Sequence, residues 1–417
     1  MNIIFGERTM KTVIIGGGAS GMACAVQLKT LCADCEVTVL EKMPRVLKKL
    51  LVTGNGRCNI TNINSSSEFY RGDSGLIKAV LGHFPVGSNI RFFEEMGLPL
   101  KEEAEGRVYP RSMNASSAVN ALLFRAEELG VKIVTDYTVK SVAKKGNGFL
   151  INDSLYFDCA VVASGGCSAG VHGSDGFSFR LFKKLGIKFT EPRPALCGLL
   201  LKDFPRSLKG VRNVCNVTLK SGGREMYSET GEVQFNDYGV SGIPIMQLSG
   251  LLRECEKGKT ELFADCAPDL EEEELFSYLK RIRDGHPQMP ALNLASGLLP
   301  KALALYVIAL SGLGQSLTVK EIDDGTLLKI TRTVKNLRFC VSGARDFKDS
   351  QVTSGGVGSD ELNPDTLELR KIKGMYACGE AVNADGLCGG HNLRWAWSSG
   401  RLCAEAIAER EKSLDKN

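Results

Sequence analysis

The chain has 417 residues, 43% of them hydrophobic and 24% charged, with a formal charge of +4 at pH 7. That length allows two or three domains with a sizeable core, and the balance is that of a soluble globular protein, not a disordered or fibrous one. So small a charge gives no reason to expect nucleic acid or an anionic membrane as partner, and the longest apolar run, over residues 302–313, is too short to span a bilayer.

The 14 cysteines are scattered among apolar segments, as at Cys24, Cys159, Cys378 and Cys403. Thiols there behave as small hydrophobes in a reducing compartment, and a chain of this length needs no disulfides to fold. Residues 1–10 lack the apolar core of a signal peptide. A cytoplasmic protein is expected, with residues 1–10 an extension ahead of a second candidate start at Met10.

Residues 11–15 are apolar and β-branched, the pattern of a buried strand. A glycine-rich turn follows, then a helix over 20–31 and a second β-branched run over 36–40. Strand, helix and strand in about 30 residues make the βαβ unit of a parallel sheet. Its turn carries G-x-G-x-x-G at Gly16, Gly18 and Gly21, with Ala19 and Ser20 between. Gly16 permits the tight turn, Gly18 lets backbone N–H groups approach a pyrophosphate, and Gly21 lets the helix pack close to the sheet. The helix N-terminus then faces the phosphate charge. Glu41 ends the second strand about 20 residues later, where an acid accepts hydrogen bonds from ribose hydroxyls. The turn alone does not separate NAD from FAD.

A helix and a strand are expected across 115–134, and a buried strand over 158–163 that runs into the small residues Ala163 and Gly165. Near residue 191 the character changes, with Pro192 and Pro194 disfavouring helix. Residues 191–265 hold short alternating runs such as 214–220. Residues 270–283 read as an amphipathic helix whose acids, Glu271 to Glu274, face water, and 298–313 read as an apolar helix. Beyond 340 the glycine-rich α/β character returns. Residues 374–381 form a strand closing in Gly379 and Glu380, and the last helix covers 398–411.

These later segments favour FAD. In two-part FAD domains a C-terminal strand ends in Gly-Asp or Gly-Glu, with the acid at the ribityl and phosphate region. The turn D-G-L-C-G-G-H-N over 385–392 then leads to the last helix. Backbone N–H groups at its start stabilise negative charge on a reduced flavin. An NAD dehydrogenase has no reason to bring its C-terminus back in this way.

Four blocks carry a family resemblance: the turn at 16–21, L-L-V-T-G-N-G-R-C-N-I-T-N at 50–62, Q-V-T-S-G-G-V at 351–357, and D-G-L-C-G-G-H-N-L-R-W-A-W-S-S-G at 385–400. The chain resembles the HI0933-like flavoproteins, also called BaiN-like or aminoacetone-oxidase-like. The fold class this implies is α/β: a two-part FAD-binding Rossmann-type domain with an inserted β-rich plus helical domain. The FAD domain is expected over 1–190 and 341–417. The insert covers 191–340, β-rich over 191–265 and 317–340 and helical over 266–316.

By position, the resemblance implies FAD contacts at Ser20, Glu41, Lys42, Arg57, the main chain of Val139 beside the adenine, Glu380, Asn392 and Leu393. The adjoining residues Lys49, Gly54, Gly56, Cys58 and Asn59 belong to the same expected cofactor site, as do Gly379, Asp385 and Gly390. Asn55, His391 and Arg394 stand where the family more often has glycine, tyrosine and glutamine.

Three residues are candidates for chemistry. Cys58 follows Arg57, whose charge would favour a reactive thiolate, against the alternative of a packed thiol in a tight turn. His391 is a candidate proton donor or a plain hydrogen-bond partner. Arg394 would stabilise a developing enolate. The pair Cys32 and Cys35 lies on the adenine side of such a domain, out of a flavin's reach, and no second such pair completes a zinc site. His172 and His286 have no clustered acids or cysteines, so no metal is expected. Trp395 and Trp397 either pack the halves of the domain together or line a substrate pocket.

No second G-x-G-x-x-G joins a strand to a helix, and the Gly355–Gly358 stretch follows no such junction. If NAD(P)H is the reductant, it would bind transiently over the flavin; a protein electron donor, or oxygen as acceptor, is the alternative. The expected activity is hydride transfer through flavin N5 on non-covalent FAD, acting on a small-molecule substrate. The resemblance implies either reduction of an activated C=C bond, as in a steroid or bile-acid enone, or oxidation of a small amine. The competing class is a flavin redox sensor or electron carrier. Oligomeric state is left open.

Overall fold

The computed structural model describes residues 9–313 and 317–414. Residues 1–8 of the expected extension, 314–316 of the expected helical segment and 415–417 lie outside the described residues. The described chain forms two compact units. One comprises the chain up to Arg193 together with the chain from Gln351 onward, and the other is Pro194–Ser350.

The first unit is built on a five-stranded sheet in the order Met375–Ala377, Cys159–Val162, Lys11–Ile15, Glu36–Leu40, Lys132–Val134. All four pairings are parallel, with Ile14 beside Val161 on one side and Val39 on the other. The central strands are continuously apolar because both faces are covered, and Val13, Ile14, Val161 and Val162 are fully buried. From the first strand the chain steps outward in one direction to Glu36–Leu40 and Lys132–Val134. It later returns on the other side with Cys159–Val162 and Met375–Ala377. The strand order therefore reverses beside the C-terminal end of Lys11–Ile15, the place where such sheets bind ligands.

Helix Ala19–Leu31 follows the first turn and is buried along most of its length. The C-terminal helix, His391–Leu414, packs across it so closely that a side chain at Gly400 would collide with the Ser20 carbonyl. That helix was expected from residue 398. It begins at His391 because Gly389 and Gly390, both at positive φ, close the preceding turn immediately before it. The hairpins joining Val142–Lys145, Gly148–Ile151 and Leu155–Phe157 add a small antiparallel sheet that the sequence did not signal.

The second unit holds a closed six-stranded barrel, in the order Leu199–Leu201, Gly239–Ser241, Arg224–Phe235, Arg212–Ser221, Thr260–Asp265, Leu337–Ala344. Alternation sets its inside: Cys215, Val217 and Leu219 point in from one strand, Leu262 and Ala264 from its neighbour. Helices Glu272–Gly285 and Lys301–Leu310 share its apolar core.

Two expectations need correcting. Residues 317–340 are not β-rich, because Asp324–Lys335 is a helix. Asp323 caps it by accepting from Thr326 N, and Leu327, Ile330, Thr331 and Val334 are buried at helical spacing. Strand Leu337–Ala344 also belongs to the barrel, so the second unit runs past the expected border at 340/341 to Ser350.

Candidate functional site

The turn between the first strand and the first helix is shaped by steric need. Gly16 has φ +107, and a Cβ there would stand 2.5 Å from the Ala163 carbonyl oxygen. A side chain at Gly21 would collide with the Gly16 carbonyl, whereas one at Gly18 would meet nothing within 4 Å. The open side of Gly18 is therefore the side a ligand can occupy. Gly18 is the N-cap of the helix and no side chain caps it, so the first helical N–H groups and the positive end of the helix dipole are left for an anion.

Glu41 is fixed beside this turn. Its Oε2 accepts from Gly17 N and its Oε1 from Met43 N, both at 2.8 Å. Each carboxylate oxygen keeps a further lone pair for a ribose hydroxyl. Tyr137 N donates to the Glu41 carbonyl at 2.9 Å, which brings the segment carrying buried Val139 alongside. Lys42 pairs with Asp175 at 2.8 Å and Lys49 with Glu380 at 2.6 Å. Burial alone would raise Asp175, but Lys42, helped by Arg180, holds its carboxyl below the usual range.

The block at 54–59 folds into a tight turn, with Cys58 N donating to Thr53 O at 3.0 Å and the Arg57 guanidinium over the Tyr109 ring. Cys58 is fully buried, and burial pushes its thiol up to about 12, with only partial opposition from a Thr53 hydrogen bond. Of the two readings of Cys58, these observations favour the packed thiol: the Arg57 guanidinium stands over Tyr109 and burial raises the thiol.

The C-terminal helix begins with side chains that tie segments together. The Asn392 amide accepts from Gly386 N at 2.8 Å and donates to Gly386 O at 2.6 Å, which fixes the turn that carries Asp385. Trp395 Nε1 donates to Gly379 O and Trp397 Nε1 to Ile60 O, each at 3.0 Å. Both indoles are buried, which favours the reading in which they pack the domain.

His391 and Arg394 are also inside the fold, at 2% and 3% exposure. The His391 ring stacks on Phe69 with Nδ1 2.8 Å from Ser65 Oγ, and Tyr70 Oη donates to the His391 carbonyl. Burial first, and then the Arg394 charge, lower its pKa to about 4. Arg394 donates to the carbonyls of Ser65 at 2.6 Å and Phe84 at 3.4 Å. Both side chains hold the first turn of this helix, as the hydrogen-bond-partner reading of His391 expects, while Arg394 Nε stays buried without a partner among the described residues.

The structure thus brings the turn at 16–21, Glu41, Lys42, Lys49, Gly54 to Asn59, Ala163, Gly165, Gly379, Glu380 and the 385–393 segment into one unit. Several of these residues, Gly18, Ala19, Lys49, Gly165, Gly390 and Leu393 among them, remain partly exposed. Glu380 Oε2 and Asn59 Oδ1 are buried acceptors without a donor among the described residues. A dinucleotide with ribityl hydroxyls and a flavin N–H supplies donors of the kind they lack.

Sequence reasoning missed Ser65 and Tyr70, whose role appears only once the chain folds back. It also missed Thr353, whose hydroxyl accepts from Cys167 N and Ser168 N and so fixes the loop after Gly165. His172 was set aside, yet burial and the nearby Lys48 and Lys49 lower its pKa. Cys32 and Cys35 form a disulfide at the end of the first helix away from Gly18, a bond not expected for this chain. Among the described residues no group of three or more His, Cys, Asp or Glu could hold a metal, and no helix is long and apolar enough to cross a membrane. The glycines at 355–358 close the strand Val352–Gly356 and lead into turns, not a helix.

The description "HI0933-like protein Rossmann domain" matches residues 10–406. A 3-dehydro-bile acid delta(4,6)-reductase from Clostridium scindens is 34% identical over 95% of this chain and 98% of its own. A ribosomal RNA dihydrouridine synthase from Escherichia coli is 28% identical over 96% of this chain and 98% of its own. Among solved structures, a 3-ketosteroid delta1-dehydrogenase from Sterolibacterium denitrificans superposes with TM-score 0.51 at 15% identity, covering 96% of this chain and 100% of that one. This last likeness is one of fold.

Proposed function

The chain belongs to the HI0933-like family, and from that membership we propose that it reduces a carbon–carbon double bond conjugated to a carbonyl, using non-covalent FAD and NAD(P)H as electron donor. It is an FAD-dependent oxidoreductase. The observation that carries the finer reading is the 34% identity, over nearly the full length of both chains, to a bile acid delta(4,6)-reductase. Oxidation of a small amine, the other expected activity, gains no support from the relatives named above.

FAD, when bound, supplies hydride transfer at its N5 atom. The protein's part is to hold it. The N–H groups at the start of helix Ala19–Leu31 would meet the pyrophosphate, Glu41 would meet the ribose, and Glu380 with Lys49 would meet the ribityl chain. Asn392 holds the turn before the C-terminal helix, whose N-terminal N–H groups would favour negative charge on the reduced ring.

The ribosomal RNA dihydrouridine synthases favour a second reading. Saturating a uracil ring is also hydride addition to a double bond conjugated to a carbonyl, so the two readings share their chemistry and differ in what carries the ring. The deciding experiment incubates the holoprotein anaerobically with NADH or NADPH and either a 3-oxo-Δ4,6 steroid acid or a ribosomal RNA transcript. The proposal expects a steroid product about 2 Da heavier, two hydrogens having been added. Dihydrouridine in the RNA with untouched steroid would move the assignment to the second reading. Turnover of neither, with an amine consumed in air, would contradict both.

A further inference from the structure

We propose that Cys215 and Cys266, two thiols inside the barrel of the second unit, form a reversible dithiol–disulfide site oxidised by hydrogen peroxide. The site is built by strand register. Arg212–Ser221 pairs antiparallel with Thr260–Asp265, Asn216 facing Asp265 and Val217 facing Ala264. One further step along the ladder sets Cys215 opposite Cys266. Directly opposed residues of an antiparallel pair stand about 4.5–5.5 Å apart at Cα, within the span a disulfide bridges. Both side chains face inward, at 0% and 3% exposure.

The surroundings differentiate the two sulfurs. The Asn213 amide nitrogen lies 3.3 Å from Cys215 Sγ, 2.8 Å from the Cys266 carbonyl and 2.9 Å from the Val214 carbonyl. Cys215 Sγ therefore accepts from Asn213 and lies within interaction range of the Cys266 thiol, whose proton is also within reach of the Ala264 carbonyl at 3.8 Å. These bonds outweigh burial and the charge of Asp265, and hold Cys215 below the usual thiol range. Cys266 is held well above that range, by its interaction with Cys215 first and burial second. Asp265 is itself paired with Lys335 at 2.6 Å. The arrangement is a thiol pair in which Cys215 gives up its proton more readily than the Cys266 thiol beside it.

In the first step the Cys215 thiolate attacks one peroxide oxygen. The O–O bond breaks, and the departing hydroxide takes up a proton to become water, leaving a sulfenic acid. The Cys266 sulfur then attacks the Cys215 sulfur. The C215 S–O bond breaks, the Cys266 proton goes to the leaving hydroxide, and a second water departs. In sum, two thiols lose two hydrogens and peroxide becomes two waters. Burial of both sulfurs, at 0% and 3% exposure, excludes a bulky disulfide such as oxidised glutathione as the oxidant. The product ties two barrel strands together until a dithiol reduces it.

The test treats the native full-length protein with dilute peroxide, alkylates it in denaturant and maps it by mass spectrometry without reduction. The expected product is a linked peptide pair containing Cys215 and Cys266, about 2 Da lighter than the two thiol peptides together. It disappears on adding dithiothreitol, and Asn213→Ala slows its formation roughly tenfold through loss of one hydrogen bond to the thiolate. Two results would overturn the proposal. One is full alkylation of both cysteines after a treatment that oxidises the exposed Cys340. The other is a Cys215 that runs on to sulfinic acid beside a free Cys266. The wild-type chain carries this readout, so a variant that fails to fold leaves the test intact.

Discussion

At the scale of single residues, His391 shows how burial decides a role that sequence position leaves open. Its folded pKa of about 4 lies below the ordinary value of 6.5. Between these values the unfolded chain binds a proton that the folded chain does not, so stability falls as pH drops from about 6.5 to about 4. By linkage the loss approaches roughly 3 kcal/mol. Denaturant unfolding at pH 7 and pH 5 should show about 2 kcal/mol of this loss in the wild type and a flatter profile in His391→Phe. Equal pH dependence in the two would mean that the ring is not buried as a neutral group. Cys58 makes a parallel case. With its thiol pushed up to about 12, it should resist iodoacetamide in the native protein at neutral pH, and Cys58→Ala should keep its turnover. Rapid alkylation or lost turnover with FAD still bound would restore the catalytic reading. Glu41 was legible in the sequence from its spacing to the glycine turn, but its two bonds to Gly17 N and Met43 N were not. Because those bonds shape the turn as well as the ribose site, Glu41→Ala should weaken FAD binding by about 1.5–3 kcal/mol, read by titrating apoprotein with FAD. Unchanged affinity would remove Glu41 from the site.

At the scale of elements, what the sequence revealed follows from how local each signal is. The first βαβ unit was legible because β-branched runs, a glycine turn and an apolar helix each carry their own pattern over a few residues. Helix Asp324–Lys335 carried a pattern too, in the spacing of Leu327, Ile330, Thr331 and Val334, but lay within a stretch read as strands. The start of the C-terminal helix was hidden for a different reason. Its first two turns hold His391, Arg394, Trp395 and Trp397, residues that would be costly on an exposed helix and are buried here against segments hundreds of residues away. Only the folded chain reveals those partners. Trp397→Ala should therefore destabilise the first unit by about 3–5 kcal/mol, the usual cost of removing a buried aromatic side chain. A thermal shift assay on the FAD-loaded protein measures it, and a wild-type melting temperature would show that the indole is not part of the core.

At the scale of the whole molecule, the first unit gathers its candidate cofactor site from both ends of the sequence, with residues 194–350 interrupting it. Such a discontinuous unit is visible in sequence only where both ends carry their own motifs, as the turn at 16–21 and the block at 385–400 do. The substrate is less legible, because no motif of this chain spells out what a double bond must be attached to. The central claim is that the reduced protein delivers hydride to a conjugated C=C bond, and anaerobic reoxidation tests it most directly. The holoprotein is reduced with dithionite and mixed with a 3-oxo-Δ4,6 steroid acid or with its fully saturated 3-oxo counterpart, while the yellow flavin absorbance is followed. The account predicts rapid return of the colour with the dienone and none with the saturated ketone. A flavin that stays bleached with the dienone, and regains its colour only when air is admitted, would contradict it.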